Sequence, residues 1–383
     1  MTPITCNEDL RRLAMRRAPR AIFDYVDRGS YDEATIRANR ADLDALKLRQ
    51  RVMIDVDRRS LRTTLVGEDA TMPVALAPTG LTGIMHPNGE ILAARAAQAF
   101  GVPFTLSTMS ICSIEAVRAA VDKPFWFQLY VMRDRGFVAS LIERARAADC
   151  SALMLTADLQ IQGQRHRDII NGLTVPPKLT LRNVLDISRK PRWALDMLRT
   201  PHRNFGNLAG QIPGGGKGLA TLSQWIASQF DPTLSWKDVE WVRSLWPGKL
   251  IVKGILDAGD ARDAVDAGAD AIVVSNHGGR QLDGAPSSIA ALPAIVDAVG
   301  ARTEVLFDSG VRSGQDVLKA MALGTRGALI GKAFLYGLGA MGERGVTTAL
   351  ELIRKELDVS MALTGTRDVH GIGKQVLWSA EPL

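Results

Sequence analysis

His277 and Arg280 stand three positions apart in the segment Ser275-Asn276-His277-Gly278-Gly279-Arg280-Gln281-Leu282-Asp283. Imidazole is the side chain best able to take a proton near neutral pH. A planar guanidinium grips a carboxylate through two hydrogen bonds. The two intervening glycines let the backbone turn sharply and let a large planar ligand come close. A lone histidine after an apolar run more often caps a strand end. The adjoining arginine and glycine pair do not suit that duty, and together the four residues describe proton removal from an anionic substrate.

Such chemistry needs a scaffold that gathers distant residues. The apolar runs Pro73–Ala77, Pro103–Ser107, Trp126–Tyr130, Ala152–Thr156, Leu250–Lys253, Ala271–Ser275, Glu304–Asp308 and Ala328–Gly331 each precede a helical pattern, as in Asp257–Ala267 and Ser313–Leu323. Runs such as Ala271-Ile272-Val273-Val274 lack alternation, as expected of strands covered on both faces. Eight strand–helix units predict an α/β fold, a TIM (β/α)8 barrel, whose chemistry lies where the strands end. Polar residues recur at that end: Ser107, Gln128, Tyr130, Thr156, Asp158, Lys253, Ser275, His277 and Asp308. The chain 1–383 reads as one barrel domain with a long insertion between the fourth and fifth strands, a lid region over 159–249.

That insertion exceeds the roughly two to six residues usual between a strand and a helix. Thr174–Gly218 carries eight Lys/Arg against two acidic residues, with Trp193, Leu195, Met197 and Leu198 among them. It ends in the flexible-looking Pro213-Gly214-Gly215-Gly216, and Leu219–Trp246, with four tryptophans, reads as ordered helix. A lid alone and a lid that also touches a membrane surface are both consistent with this composition.

Bulk composition excludes several classes. With 46% hydrophobic and 23% charged residues the chain supports a large core, and a net charge of +6 suits an anionic substrate or surface better than nucleic acid. Cys6, Cys112 and Cys150 have no metal spacing and suit a reducing cytoplasm. No metal site is expected, because the strand ends lack a His/Asp/Glu ligand cluster; this argues against a metal-dependent barrel aldolase. The N-terminus lacks an apolar leader core, and no apolar run is long enough to span a bilayer.

The segment Ser275–Asp283 resembles the signature of the FMN-dependent 2-hydroxy-acid dehydrogenase and oxidase family, and the similarity runs from about Asp9 to Thr364. That resemblance implies FMN held at the barrel mouth. Ala77, Pro78 and Thr79 would meet the ring through their backbone. Ser107, Gln128 and Thr156, with Ser275 nearby, would serve the isoalloxazine edge, which suits small hydroxyl and amide groups. Lys253 matches the lysine beside the flavin N1 and C2 oxygen, where a fixed charge favours electron uptake. Asp308 would bind the ribityl chain. Gly310, Arg312, Gly331 and Lys332 would hold the phosphate, at the position usual for this barrel.

On the substrate side the resemblance implies that Arg165, Arg280 and Tyr25 hold the carboxylate and that Tyr130 bonds the hydroxyl. His277 would take either the α-hydrogen as a proton or the hydroxyl proton as hydride leaves, with Asp158 orienting the imidazole. Three positions depart from the pattern. Lys332 stands where many relatives have arginine and loses the bidentate fork. Gln160 stands where many have proline, so the loop entering the lid is expected to be less rigid. Met109 stands where glycolate oxidase has tryptophan, which allows a larger substrate.

Arg133–Phe137, Ser235–Asp238 and Gly331–Tyr336 look most like lactate-oxidising members, while Pro176–Asn183 and Arg165–Asp168 echo mandelate-oxidising ones. The expected reaction is oxidation of an L-2-hydroxy acid, L-lactate favoured, to the 2-keto acid (pyruvate), with electrons passed to quinone or another acceptor. The alternative is a mandelate-type dehydrogenase or an oxygen-using oxidase of the same fold. The resemblance further implies a homotetramer and a cytoplasmic protein whose 174–218 insert either touches the inner membrane or serves as a solvated basic lid.

Overall fold

The unbroken apolar runs fold as short parallel strands, as segments covered on both faces should. The computed structural model describes residues 3–173, 180–208 and 225–379. Two strands that the apolar-run pattern did not flag come first: β1 (Thr63–Leu65) and β2 (Glu68–Ala70), an antiparallel hairpin. Its turn residues Val66 and Gly67 have φ of 51° and 85°, the left-handed pair of a tight hairpin turn.

The eight expected strands follow as β3 (Val74–Leu76), β4 (Thr105–Ser107), β5 (Trp126–Leu129), β6 (Ala152–Thr156), β7 (Lys249–Ile255), β8 (Ala271–Val274), β9 (Glu304–Phe307) and β10 (Gly327–Ile330). They form one parallel sheet in the order β3-β10-β9-β8-β7-β6-β5-β4. A bridge between Leu76 and Phe104 joins its two edges, so the sheet closes as a TIM barrel.

Side-chain alternation decides which strand residues can reach the mouth. Ala75, Trp126, Ala152, Met154, Ile251, Ala271, Val273, Leu306 and Leu329 pack together inside the barrel. Their neighbours Leu76, Phe127, Leu153, Leu155, Val252, Ile272, Phe307 and Ile330 pack outward with the helices. A period of two then puts Ala77, Ser107, Gln128, Thr156, Lys253, Ser275, Asp308 and Gly331 on the inner side at the same end. A slip of one residue in any strand would turn its polar terminus out into the helix layer. The hairpin plugs the opposite end: Leu65, Val66 and Ala70 join the inner cluster, and Glu68 accepts the Trp126 indole N–H at 2.6 Å.

Three helices, Asn7–Arg17, Arg20–Asp27 and Ala34–Ala45, precede the barrel; the second and third line its mouth, and the first packs on the helix Lys332–Met341. Helices over Leu181–Ser188, Pro191–Arg199 and Trp236–Leu245 belong to the insertion. The last of these agrees with the helix expected within 219–246; the glycine-rich stretch 213–216, the stretch 219–224 and the proline pair at 176–177 lie outside the described residues. Among the described residues no helix is long and apolar enough to cross a membrane.

Candidate active site

The strand ends surround a cavity of about 380 Å³ at the barrel mouth. His277 lies on its wall in the left-handed region, with φ of 57°. That conformation costs about 1–2 kcal/mol for a residue with a Cβ. It is held from two sides: the His277 amide donates to Ser275 Oγ at 3.0 Å, and Nδ1 lies 2.8 Å from Asp158 Oδ1. An ionised carboxylate only accepts, so Nδ1 carries the proton and Nε2 is left to act as base. Burial pushes the Asp158 carboxyl upward, but His277, with help from Lys253, holds it below the usual carboxylate range. Gly254 makes this approach possible: its φ is 105°, and a Cβ there would sit 2.7 Å from Asp158 Cβ.

Arg280 turns back from the same loop beneath the helix Arg20–Asp27. Its Nη1 donates to the carbonyls of Tyr25 and Arg28, and its guanidinium lies 4.8 Å from the centre of the Tyr25 ring. Arg165 Nε donates to the Arg280 carbonyl at 3.4 Å, bringing the two guanidinium-bearing residues to one side of the cavity. Burial, then the charge of Arg165, pull Arg280 below its ordinary value to about 10. A bound carboxylate relieves both effects. Tyr130 lies on the cavity wall, and burial, then Asp158, push its hydroxyl well above the usual phenol range, so it stays a neutral donor.

A second set of residues forms a cradle. Lys253 Nζ bonds Ser275 Oγ at 2.8 Å and Asp308 Oδ2 at 2.9 Å. Burial works against its charge, but Asp308 and Asp158 outweigh that and raise it. Ala77, Pro78, Thr79, Thr156 and Asp308 line the cavity. Ser107, Gln128 and Ser275 lie just behind that lining, with Ser107 Oγ donating to Gln128 Oε1 at 3.0 Å. Gln128 Nε2 and Thr156 Oγ1 are buried with no hydrogen-bond partner. Buried polar atoms rarely stay unpaired, and a flavin edge offers the acceptors and donors that satisfy them. Gly310, Arg312, Gly331 and Lys332 line the far end, where the helix Lys332–Met341 starts with its free amides. These residues suit FMN.

Lys332 gives this end a pH response. Burial, then the nearby Arg280, lower its amine to about 7. Phosphate favours the charged amine, so binding above that pH takes up a proton and weakens as pH rises. The FMN dissociation constant of the apoprotein should climb by up to about tenfold per unit between pH 7 and 9. Fluorescence titration measures it, and a dissociation constant indifferent to pH would exclude Lys332 from the phosphate site. Lys332→Met should bind FMN more weakly and without that slope.

The sequence pattern missed several wall residues. Arg203, Phe205, Ile226, Ala227 and Phe230 reach the cavity from the insertion, and Phe230 meets the Tyr130 ring edge-on at 6.5 Å. Asp168 lies 3.9 Å from Arg165. No local motif marks the first five, which only the fold of the insertion brings in; Asp168 closes the segment Arg165–Asp168, in which the sequence pattern assigns it no role. Met109 lines the cavity as expected. Gln160, where the resemblance leads one to expect a less rigid loop than proline would give, donates from Nε2 to the Leu234 carbonyl at 2.8 Å, a bond that proline could not make. Other signature residues brace the site. Asn276 exchanges amide bonds of 2.7 and 2.9 Å with Asn39, and Asp283 accepts from the Thr35 amide at 2.8 Å.

A closed parallel barrel with a His–Asp pair, two arginines and a cation-lined helix N-terminus at one mouth suits a flavin-nucleotide oxidoreductase for an anionic substrate. The family model for FMN-dependent dehydrogenase matches residues 14–379. An L-lactate dehydrogenase of Caulobacter vibrioides is 51% identical over 99% of both chains. One of Azorhizobium caulinodans is 52% identical over 98% of both. Among solved structures, an (S)-mandelate dehydrogenase described as a monotopic membrane protein superposes with a TM-score of 0.94 at 37% identity, covering 98% of this chain and all of that one. A mandelate oxidase crystallised with (S)-4-hydroxymandelic acid gives 0.84 at 38% identity over 98% of both chains. The chain belongs to the FMN-dependent dehydrogenase family, and its cofactor is FMN.

Proposed function

We propose that this protein oxidises an L-2-hydroxy acid, with L-lactate the first candidate, to the 2-keto acid, and passes the electrons to a quinone or another acceptor. One observation carries the reading: the Asp158-backed imidazole of His277 shares a cavity with Arg280 and Arg165, so a base and a carboxylate clamp serve one small anion. Bound FMN supplies the two-electron acceptor. In this reading Arg280, Arg165 and the Tyr25 hydroxyl fix the carboxylate, and Tyr130 donates to the substrate oxygen. His277 takes one of the two protons the substrate releases at Nε2, and Asp158 steadies the resulting imidazolium. Lys253 holds a positive charge beside the cofactor, balanced by Asp308. Ala77, Pro78, Thr79, Ser107, Gln128, Thr156 and Ser275 seat the ring, and Gly310, Arg312, Gly331 and Lys332 the phosphate.

The relatives named for L-lactate support that substrate. The structural likeness to mandelate enzymes, with adaptable Met109 on the cavity wall, favours a mandelate-type reading as the second choice. The helices Leu181–Ser188 and Pro191–Arg199 bear exposed Leu181, Leu185, Leu195 and Leu198 beside Arg182, Arg189, Lys190, Arg192 and Arg199. Apolar side chains among cations suit peripheral contact with an anionic bilayer, which supports a position on the cytoplasmic face of the inner membrane. The homotetramer is the assembly that the family resemblance implies.

One experiment tests the whole reading. Anaerobic holoenzyme is mixed with L- and D-hydroxy acids, and the reduced flavin is then offered oxygen or a quinone carried in anionic liposomes. Bleaching by L-lactate, with reoxidation faster by quinone and salt-sensitive sedimentation with the liposomes, is the expected result. Bleaching by D-acids alone, or by none, rejects it.

A further inference from the structure

Two anion sites share one support. Arg280 bonds the carbonyls of Tyr25 and Arg28, and Lys332 Nζ bonds the carbonyl of Asp27 at 2.9 Å. All three carbonyls belong to the last turn of the helix Arg20–Asp27 and its cap. Carbonyls there lack intrahelical partners and carry the negative end of the helix dipole, so they attract cations. The substrate arginine and the phosphate lysine therefore rest on successive rungs of one helix end.

What fixes that helix end is the Asp27 side chain. It is 8% exposed and bonded on three edges: Oδ1 accepts from the Tyr336 hydroxyl at 2.7 Å and Arg11 Nε at 2.6 Å, and Oδ2 from Arg11 Nη2 at 2.7 Å. Arg11 sits on the helix Asn7–Arg17, whose Asn7 Nδ2 donates to the Arg312 carbonyl at 2.6 Å. Tyr336 sits on the helix Lys332–Met341, one turn after Lys332 itself. The buried carboxylate thus links the N-terminal helix, the substrate-side helix end and the phosphate-binding helix. It also supplies negative charge beside Lys332, which Arg280 and Arg312 repel.

We infer that Asp27 is a positioning residue that couples the substrate-carboxylate site to the cofactor-phosphate site, through the helix end on which Arg280 and Lys332 both rest. The inference builds on the proposed function for the meaning of the first site. Asp27 does not itself line the cavity.

The test uses the full-length protein with Asp27→Asn, and Tyr336→Phe as a milder variant should the first not fold. Two constants are read for each: FMN dissociation from the apoprotein, by fluorescence, and binding of oxalate to the holoenzyme, by its perturbation of the flavin spectrum. Oxalate reports the carboxylate site whatever the true substrate is, so an inactive wild type would reject the proposed function without touching this test. Losing a charged hydrogen-bond network of this kind is expected to weaken both constants about tenfold in Asp27→Asn and about threefold in Tyr336→Phe. With an active substrate, KM should rise by the same factor while kcat stays within about threefold. Weakening of one constant alone, of neither, or a fall in kcat at unchanged KM overturns the inference.

Discussion

His277→Gln should lower the rate of flavin reduction by about 10²–10⁴-fold at saturating hydroxy acid, the range supplied by a positioned general base. Stopped-flow absorbance under anaerobic conditions measures it directly. Glutamine can reach Asp158 with its amide and so keep much of the wall, but it cannot accept a proton at neutral pH. It tolerates the left-handed backbone at position 277 less well than histidine, which costs some stability but leaves the cofactor cradle unchanged. FMN should therefore stay bound, separating the chemical defect from a folding defect. Asp158→Asn should follow in the same direction, because the Nδ1 partner then no longer favours the imidazolium. A His277→Gln protein that reduces its flavin at near wild-type rate with every acid tested would remove His277 from the chemistry.

Much of this site could be read from the chain, and the reason is geometric. A buried parallel strand announces itself as a short apolar run, and alternation then decides which polar terminus faces inward. Knowing that Val273 points into the barrel is enough to send Ser275 inward too, and the same holds for Met154 with Thr156. The loop signature carried His277 and Arg280 on its own. The hairpin plug was not legible because its strands, Thr63–Leu65 and Glu68–Ala70, are mostly polar and form no apolar run. Phe205, Ile226 and Phe230 were missed because an insertion contributes to a distant wall only through tertiary packing. Asp27 escaped for a different reason. It lies on a short amphipathic helix where an acidic residue reads as a solvated face, and its burial depends on Arg11 and Tyr336, hundreds of residues apart.

Arg280→Lys tests whether the carboxylate clamp needs a guanidinium or only a positive charge. The charge is nominally kept, yet the expected effect is large. Nη1 of Arg280 is committed to the carbonyls of Tyr25 and Arg28, which fixes the plane of the fork and leaves its other nitrogens for the substrate. An ammonium group cannot hold those carbonyls and also present two parallel donors, so KM should rise by about 10–10²-fold from the lost charge-assisted bonds. The surroundings add a second penalty. Burial and neighbouring cations already bring Lys332 to about 7 and pull Arg280 itself down. An amine at position 280 meets the same desolvation and the same Arg165. It is protonated, and able to bind the anion, only below its lowered pKa. As pH rises through that value the charge is lost, so kcat/KM of Arg280→Lys should fall between about pH 7 and 9, where a guanidinium stays charged. Steady-state profiles of both proteins decide it: parallel curves would mean that position 280 senses no such field, whereas a new alkaline limb confined to the variant shows why arginine is the residue this loop requires.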